Sequence, residues 1–119
     1  MTAVPAMANK ERTMDLNQKL IEEIIRRILA VTEAERIILF GSAATGNMTR
    51  DSDIDLLVLK SAAANPRQES VLVRQALSGL GHPFDIMVMA TERFEESKGV
   101  IGGIAFPANK YGKVIYEAA

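Results

Sequence analysis

Apolar residues recur every three or four positions from Asp15 to Ala30, where Leu16, Leu20, Ile21, Ile24, Ile25, Ile28 and Leu29 fall on one side of a helix. Asp15 and Gln18 have the spacing of a capping box at its start. The pattern then changes. Residues 36–40, RIILF, form a short β-branched run stopped by Gly41, which predicts a buried strand. After a loop of small and polar residues, DIDLLVLK over 53–60 predicts a second strand. SAAANP breaks it, and Pro66 opens a helix whose apolar stripe is Val73, Ala76, Leu77 and Leu80. GLGHP turns the chain into a third strand, FDIMVM over 84–89. Thr91 suits the N-cap of a helix through about Ser97, while glycines at 99, 102 and 103 leave the next stretch without a defined pattern. KVIYE over 113–117 predicts a last edge strand. Helices interleaved with short apolar strands predict an α/β or α+β layer fold: a mixed sheet of about four strands with flanking helices.

Composition limits what this layered domain does. Its 119 residues suit one domain, expected over 13–119 behind a flexible N-terminus at 1–12. Hydrophobic residues make up 48% and charged residues 24%, a globular balance. Fourteen basic and fifteen acidic side chains give a net charge of −1, so no global field draws the chain to nucleic acid or an anionic membrane, and no basic or aromatic stripe is visible. Phosphate, if bound, is bound locally. The absence of cysteine excludes disulfides and thiolate metal sites and leaves oxygen ligands or His82 for a metal. The first dozen residues lack the pattern of a signal peptide and no stretch reaches membrane-spanning length, so a cytoplasmic protein is expected.

The candidate chemistry lies in the strands. Alternation puts Asp53 and Asp55 on one side of the second strand, about 6.6 Å apart along the backbone, with Ile54, Leu56 and Val58 on the other. Paired carboxylates in a partly dry site repel unless one keeps its proton or a cation neutralises both. Hard oxygen ligands on a rigid strand suit Mg²⁺ or Mn²⁺. Solvated aspartates at a strand entrance are the plain alternative. Asp85 interrupts the apolar third strand. It either faces solvent on an edge or needs a partner or metal, because an isolated buried carboxylate is costly. Gly41 permits close backbone approach, and Ser42 offers a hydroxyl and an amide at the start of a turn, the elements of a phosphate cradle.

In order, Phe40-Gly41-Ser42, ten intervening residues, Asp53-Ile54-Asp55-Leu56 and the later Asp85 resemble the nucleotidyltransferase superfamily related to DNA polymerase β. The short chain and the tail GKVIYE look like its minimal nucleotidyltransferase branch, a resemblance covering about residues 20–117. It implies the polymerase-β-like fold and transfer of a nucleoside monophosphate, AMP from ATP, to a hydroxyl. Gly41 and Ser42 would hold the triphosphate. Asp53, Asp55 and Asp85 would hold two Mg²⁺ ions, or Mn²⁺, with Asp85 also helping to deprotonate the acceptor. Members of this branch act with a helical HEPN partner as toxin–antitoxin pairs, and the acceptor there can be a tyrosine of the toxin.

The chain departs from the pattern in one respect. Where many relatives carry a basic residue after Gly-Ser, it has Ala43, Ala44 and Thr45, which makes Arg50 the candidate for binding phosphate charge. Two other readings stay open: a non-catalytic module that neutralises a helical partner by binding it, and a small-molecule transferase of the antibiotic-modifying kind. His82 reads as structural, Met87 and Met89 as packing, and Glu22, Glu23, Arg26 and Arg27 as the wet side of the first helix. A short exposed edge at 113–117 leaves room for self-association or a hetero-complex.

Overall fold

The computed structural model describes residues 17–46, 52–100, 103 and 105–118. Helix α1, Gln18–Val31, leads into strand β1, Arg36–Phe40, and a single-turn helix α2, Ser42–Thr45. Strand β2, Ile54–Lys60, helix α3, Pro66–Ala76, and strand β3, Phe84–Ala90, form a β-α-β unit. Two short helices, α4, Thr91–Ser97, and α5, Ala105–Tyr111, precede strand β4, Lys113–Glu117. The sheet order is β3-β2-β1-β4. β1 runs antiparallel to β2 and β4, whereas β2 and β3, joined through a helix, are parallel. This is the mixed four-stranded sheet that the sequence predicts.

Local chemistry sets the ends of the helices. Asn17, rather than Asp15, caps α1: its side chain accepts from the Leu20 amide at 2.8 Å, and Asp15 lies outside the described residues, as does the whole of 1–12. Pro66 is the first residue of α3, and Asn65 before it accepts from the Gln68 amide at 3.2 Å. Thr91 is not a cap. It is the first residue of α4, and its hydroxyl donates to Glu35.

The sheet has an apolar layer on each face. Ile37, Leu39, Ile54, Leu56, Val58, Ile86 and Val88 pack against Ile24 and Ile28 of α1 and against Val73 and Leu77 at α3. The opposite face buries Ile38, Leu57 and Leu59 under Phe94 of α4 and Ala105 and Ala108 of α5. Both faces of β2 are therefore core along most of its length, as expected of a strand in a parallel pair. Arg36 anchors α4 by an ion pair to Glu95 at 3.4 Å and by lying over the Phe94 ring. No helix among the described residues is long and apolar enough to cross a membrane.

Candidate active site

The second apolar layer stops short at one end of the sheet, and carboxylates take its place. Register fixes them. Asp55 on β2 sits opposite Phe40 on β1 and opposite Asp85 on β3, so Asp55 and Asp85 share the face that Leu57 and Leu59 occupy further along. Asp53 directly precedes β2, and the Ile54 amide donates to the Pro83 carbonyl at 2.9 Å, tying the start of β2 to the start of β3. Asp55 is half-buried, and Asp53 and Asp85 are exposed. Burial raises the Asp55 pKa above the ordinary carboxylate value, and the negative charges of Asp85 and then Asp53 add to the rise. All three aspartates predicted from the sequence thus act electrostatically on one end of the sheet.

Gly41 makes that arrangement sterically feasible. Its φ of 70° and ψ of −152° lie in a region that is essentially glycine-only. A Cβ added there would stand 2.2 Å from Oδ2 of Asp55, so the carboxylate fills the space that any side chain would need. Ser42 opens α2, and the amides of Ala44 and Thr45 donate to the Gly41 carbonyl. The amides of Ser42 and Ala43, ahead of them, have no intrahelical acceptor. Arg50 lies outside the described residues.

The same end of the sheet opens beyond β3 into a groove of about 600 Å³. Asp53, Asp85, Arg74 and His82 line it together with Leu77 and Phe84. Arg74 stands in the last turn of α3, which α1 holds in place: Arg27 donates to the carbonyls of Ala76 at 3.2 Å and Ser78 at 3.0 Å. His82, read from the sequence as structural only, faces the groove beside two of the candidate ligands. Met87 also departs from its reading as packing, being 41% exposed, whereas Met89 does pack against the second core. Neither Arg74 nor His82 forms a sequence motif with the aspartates. The β-α-β crossover alone brings the end of α3 and the turn after it to the start of β3.

The donor set fits a hard divalent cation: three carboxylates, one of them half-buried and raised in pKa by burial first and then by the charges of the other two. As the side chains stand, no group of three or more His, Cys, Asp and Glu residues is drawn together closely enough to hold an ion among the described residues.

The family model for the nucleotidyltransferase domain matches residues 18–108, from α1 into α5. No curated protein matches the chain. Several solved structures share its fold. A chain in the crystal structure of a toxin–antitoxin with AMP-PNP is 22% identical, with a TM-score of 0.60 over 82% of this chain and 73% of that one. A candidate nucleotidyltransferase from Sulfolobus solfataricus is 20% identical, with a TM-score of 0.58 over 83% of this chain and 78% of its own. A chain in the complex of tri-AMPylated Shewanella oneidensis HEPN toxin with MNT antitoxin is 20% identical, with a TM-score of 0.56 over 87% of this chain and 74% of that one.

Proposed function

This chain belongs to the nucleotidyltransferase domain family, and from that premise we propose that it transfers AMP from ATP to a hydroxyl of a HEPN-type partner protein, as the antitoxin of a toxin–antitoxin pair. The observation that carries the reading is the close approach of the Asp55 carboxylate to Gly41, which supports a strand end that binds metal beside a turn that binds phosphate. One solved structure that shares the fold is of a toxin–antitoxin with AMP-PNP and another is of a tri-AMPylated HEPN toxin with MNT antitoxin, which supports ATP as donor and such a toxin as acceptor.

In this reading Gly41 lets the triphosphate approach the backbone, and the amides of Ser42 and Ala43 donate to its oxygens. Asp53, Asp55 and Asp85 would hold divalent ions, Mg²⁺ or Mn²⁺, and such ions would supply neutralisation of the phosphate charge and of the entering and leaving oxygens. Asp85 takes up the acceptor's proton and passes it to solvent. The acceptor oxygen forms a bond to the α-phosphorus as the bond to the bridging β-phosphate oxygen breaks, and pyrophosphate leaves with the electron pair. The chain's contribution is positioning and charge placement.

The test is incubation with α-labelled ATP, Mg²⁺ and the protein encoded by the neighbouring reading frame. Label is expected on that protein with the wild type and not with Asp53→Ala/Asp55→Ala. A folded wild type that transfers none rules the enzyme reading out. The ungathered carboxylates and the lack of a basic residue after Gly-Ser favour a second reading, a module that neutralises its partner by binding alone. That module would go on neutralising after both aspartates are replaced.

A further inference from the structure

We infer that the outer margin of β3 is a docking track for an extended acidic segment of the partner protein, and that this segment delivers the acceptor hydroxyl to Asp85. The inference rests on the transferase reading above.

β3 ends the sheet order and pairs only with β2, so its outer backbone groups have no ladder partner among the described residues. Three concavities follow this margin. The groove at Asp85 and Arg74 lies at its start. A cavity of about 260 Å³ bounded by Pro66, Arg67 and Met87 follows, then one of about 270 Å³ bounded by Met87, Met89 and Arg93. Each holds one arginine, and among the described residues the side chains of Arg67, Arg74 and Arg93 have no hydrogen-bond or ion-pair partner. The carboxylates lining the three are Asp53 and Asp85 alone, the proposed metal ligands. A protein of net charge −1 therefore presents a basic row along an open strand edge.

A polypeptide suits this row. An added strand satisfies alternating N–H and C=O groups and places side chains in pockets along the edge, with acidic residues meeting the arginines. A nucleic acid has no matching alternation of donors and acceptors, and three arginines without an exposed aromatic platform are a small footprint for it. A second copy of this chain, paired through β3 about a two-fold axis, would set the basic row against itself.

The sheet order also gives direction. Gly41 and Ser42 lie on the β1 side of Asp55, and the track lies on the β3 side. In-line displacement needs the acceptor opposite the leaving pyrophosphate. A hydroxyl arriving along β3 meets that requirement, with Asp85 as the first carboxylate on its path.

The test uses the full chain with AMP-PNP and Mg²⁺ and two fluorescein-labelled synthetic peptides, each with one tyrosine, flanked by glutamates in one and lysines in the other. Anisotropy is expected to show the glutamate peptide bound at least about tenfold more tightly. Arg67→Glu/Arg93→Glu should weaken it by about tenfold while leaving the affinity for a fluorescent ATP analogue within about twofold. Both substitutions fall in the first turn of a helix, where an acidic residue is favourable, so the fold is kept. Equal binding of the two peptides, no binding of either, an unchanged affinity in the double variant, or equal binding of a short single-stranded DNA would each overturn the docking track. Loss of ATP-analogue binding by the wild type would instead strike the transferase reading, since the peptide comparison can be read without nucleotide.

Discussion

On one side of β2, Ile54, Leu56 and Val58 lie fully buried beneath α1 and α3, whereas the row on the other side begins with half-buried Asp55 before Leu57 and Leu59 close into a second core. The two rows share one backbone and one register. They differ in a single position at the strand's entrance, where a carboxylate next to two others replaces an apolar side chain. A cost in stability is therefore expected at Asp55 and a gain at Leu56. Function should depend on the two residues in the opposite order.

The largest expected effect is on activity. Replacing Asp53 and Asp55 together by alanine should lower AMP transfer at least about a thousandfold, because the divalent ions proposed to neutralise the reacting phosphates would lose two of their three carboxylate ligands. The same variant should melt no lower than the wild type, since mutual repulsion is relieved. Label transfer and a thermal melt on one preparation check both, and a melting temperature that falls with activity would mean that the carboxylates hold the fold.

Leu56→Ala inverts that outcome. It opens a cavity in the layer under α1 and α3 and should cost about 2–5 kcal/mol of stability in denaturant titration. At a temperature where the variant is still folded, its affinity for a fluorescent ATP analogue should match the wild type. Gly41→Ala joins the two rows' properties at a single site. The backbone conformation there costs a non-glycine residue about 1–3 kcal/mol. The new methyl must also displace the Asp55 carboxylate, so nucleotide affinity should fall together with stability.

How much of this was legible in the sequence follows from how locally each feature is determined. The bounds of β1 and β4 match the runs RIILF and KVIYE, because a β-branched stretch closed by a turn residue carries its own signal. The row from Asp53 to Asp55 was legible for the same reason, and its order with Gly41 and Ser42 carried the resemblance to the family whose model matches residues 18–108. Helix α5 was not legible: glycines precede it and a proline lies within it, and what secures it is burial of Ala105 and Ala108 against the sheet. Arg74, His82 and the exposure of Met87 depend on strand order and on where the crossover sets the end of α3. Neither is written in any local pattern.

The smallest effect isolates the electrostatic cost of the site. Burial, and then the charges of Asp85 and Asp53, raise the pKa of Asp55 in the folded chain above its unfolded value. The folded protein thus holds this proton more tightly, which stabilises it fully below the ordinary carboxyl value and ceases to do so as pH rises through the raised one. With divalent ions chelated, Asp55→Asn should therefore be more stable than the wild type at neutral pH, and the difference should shrink as the pH is lowered toward the ordinary carboxyl range. Glu69, held down in pKa by its hydrogen bond from Lys60, pulls stability the other way on acidification. It does so in both proteins, so its contribution cancels in the difference between their melting curves, which reports Asp55 and its coupling to the neighbouring aspartates. Adding Mg²⁺ should close the gap by stabilising the wild type, whose ionised carboxylate gains a partner, and should leave Asp55→Asn nearly unmoved. Parallel pH profiles with no response to Mg²⁺ would show that Asp55 bears no strain from its neighbours and that the two rows of β2 do not differ in the way proposed.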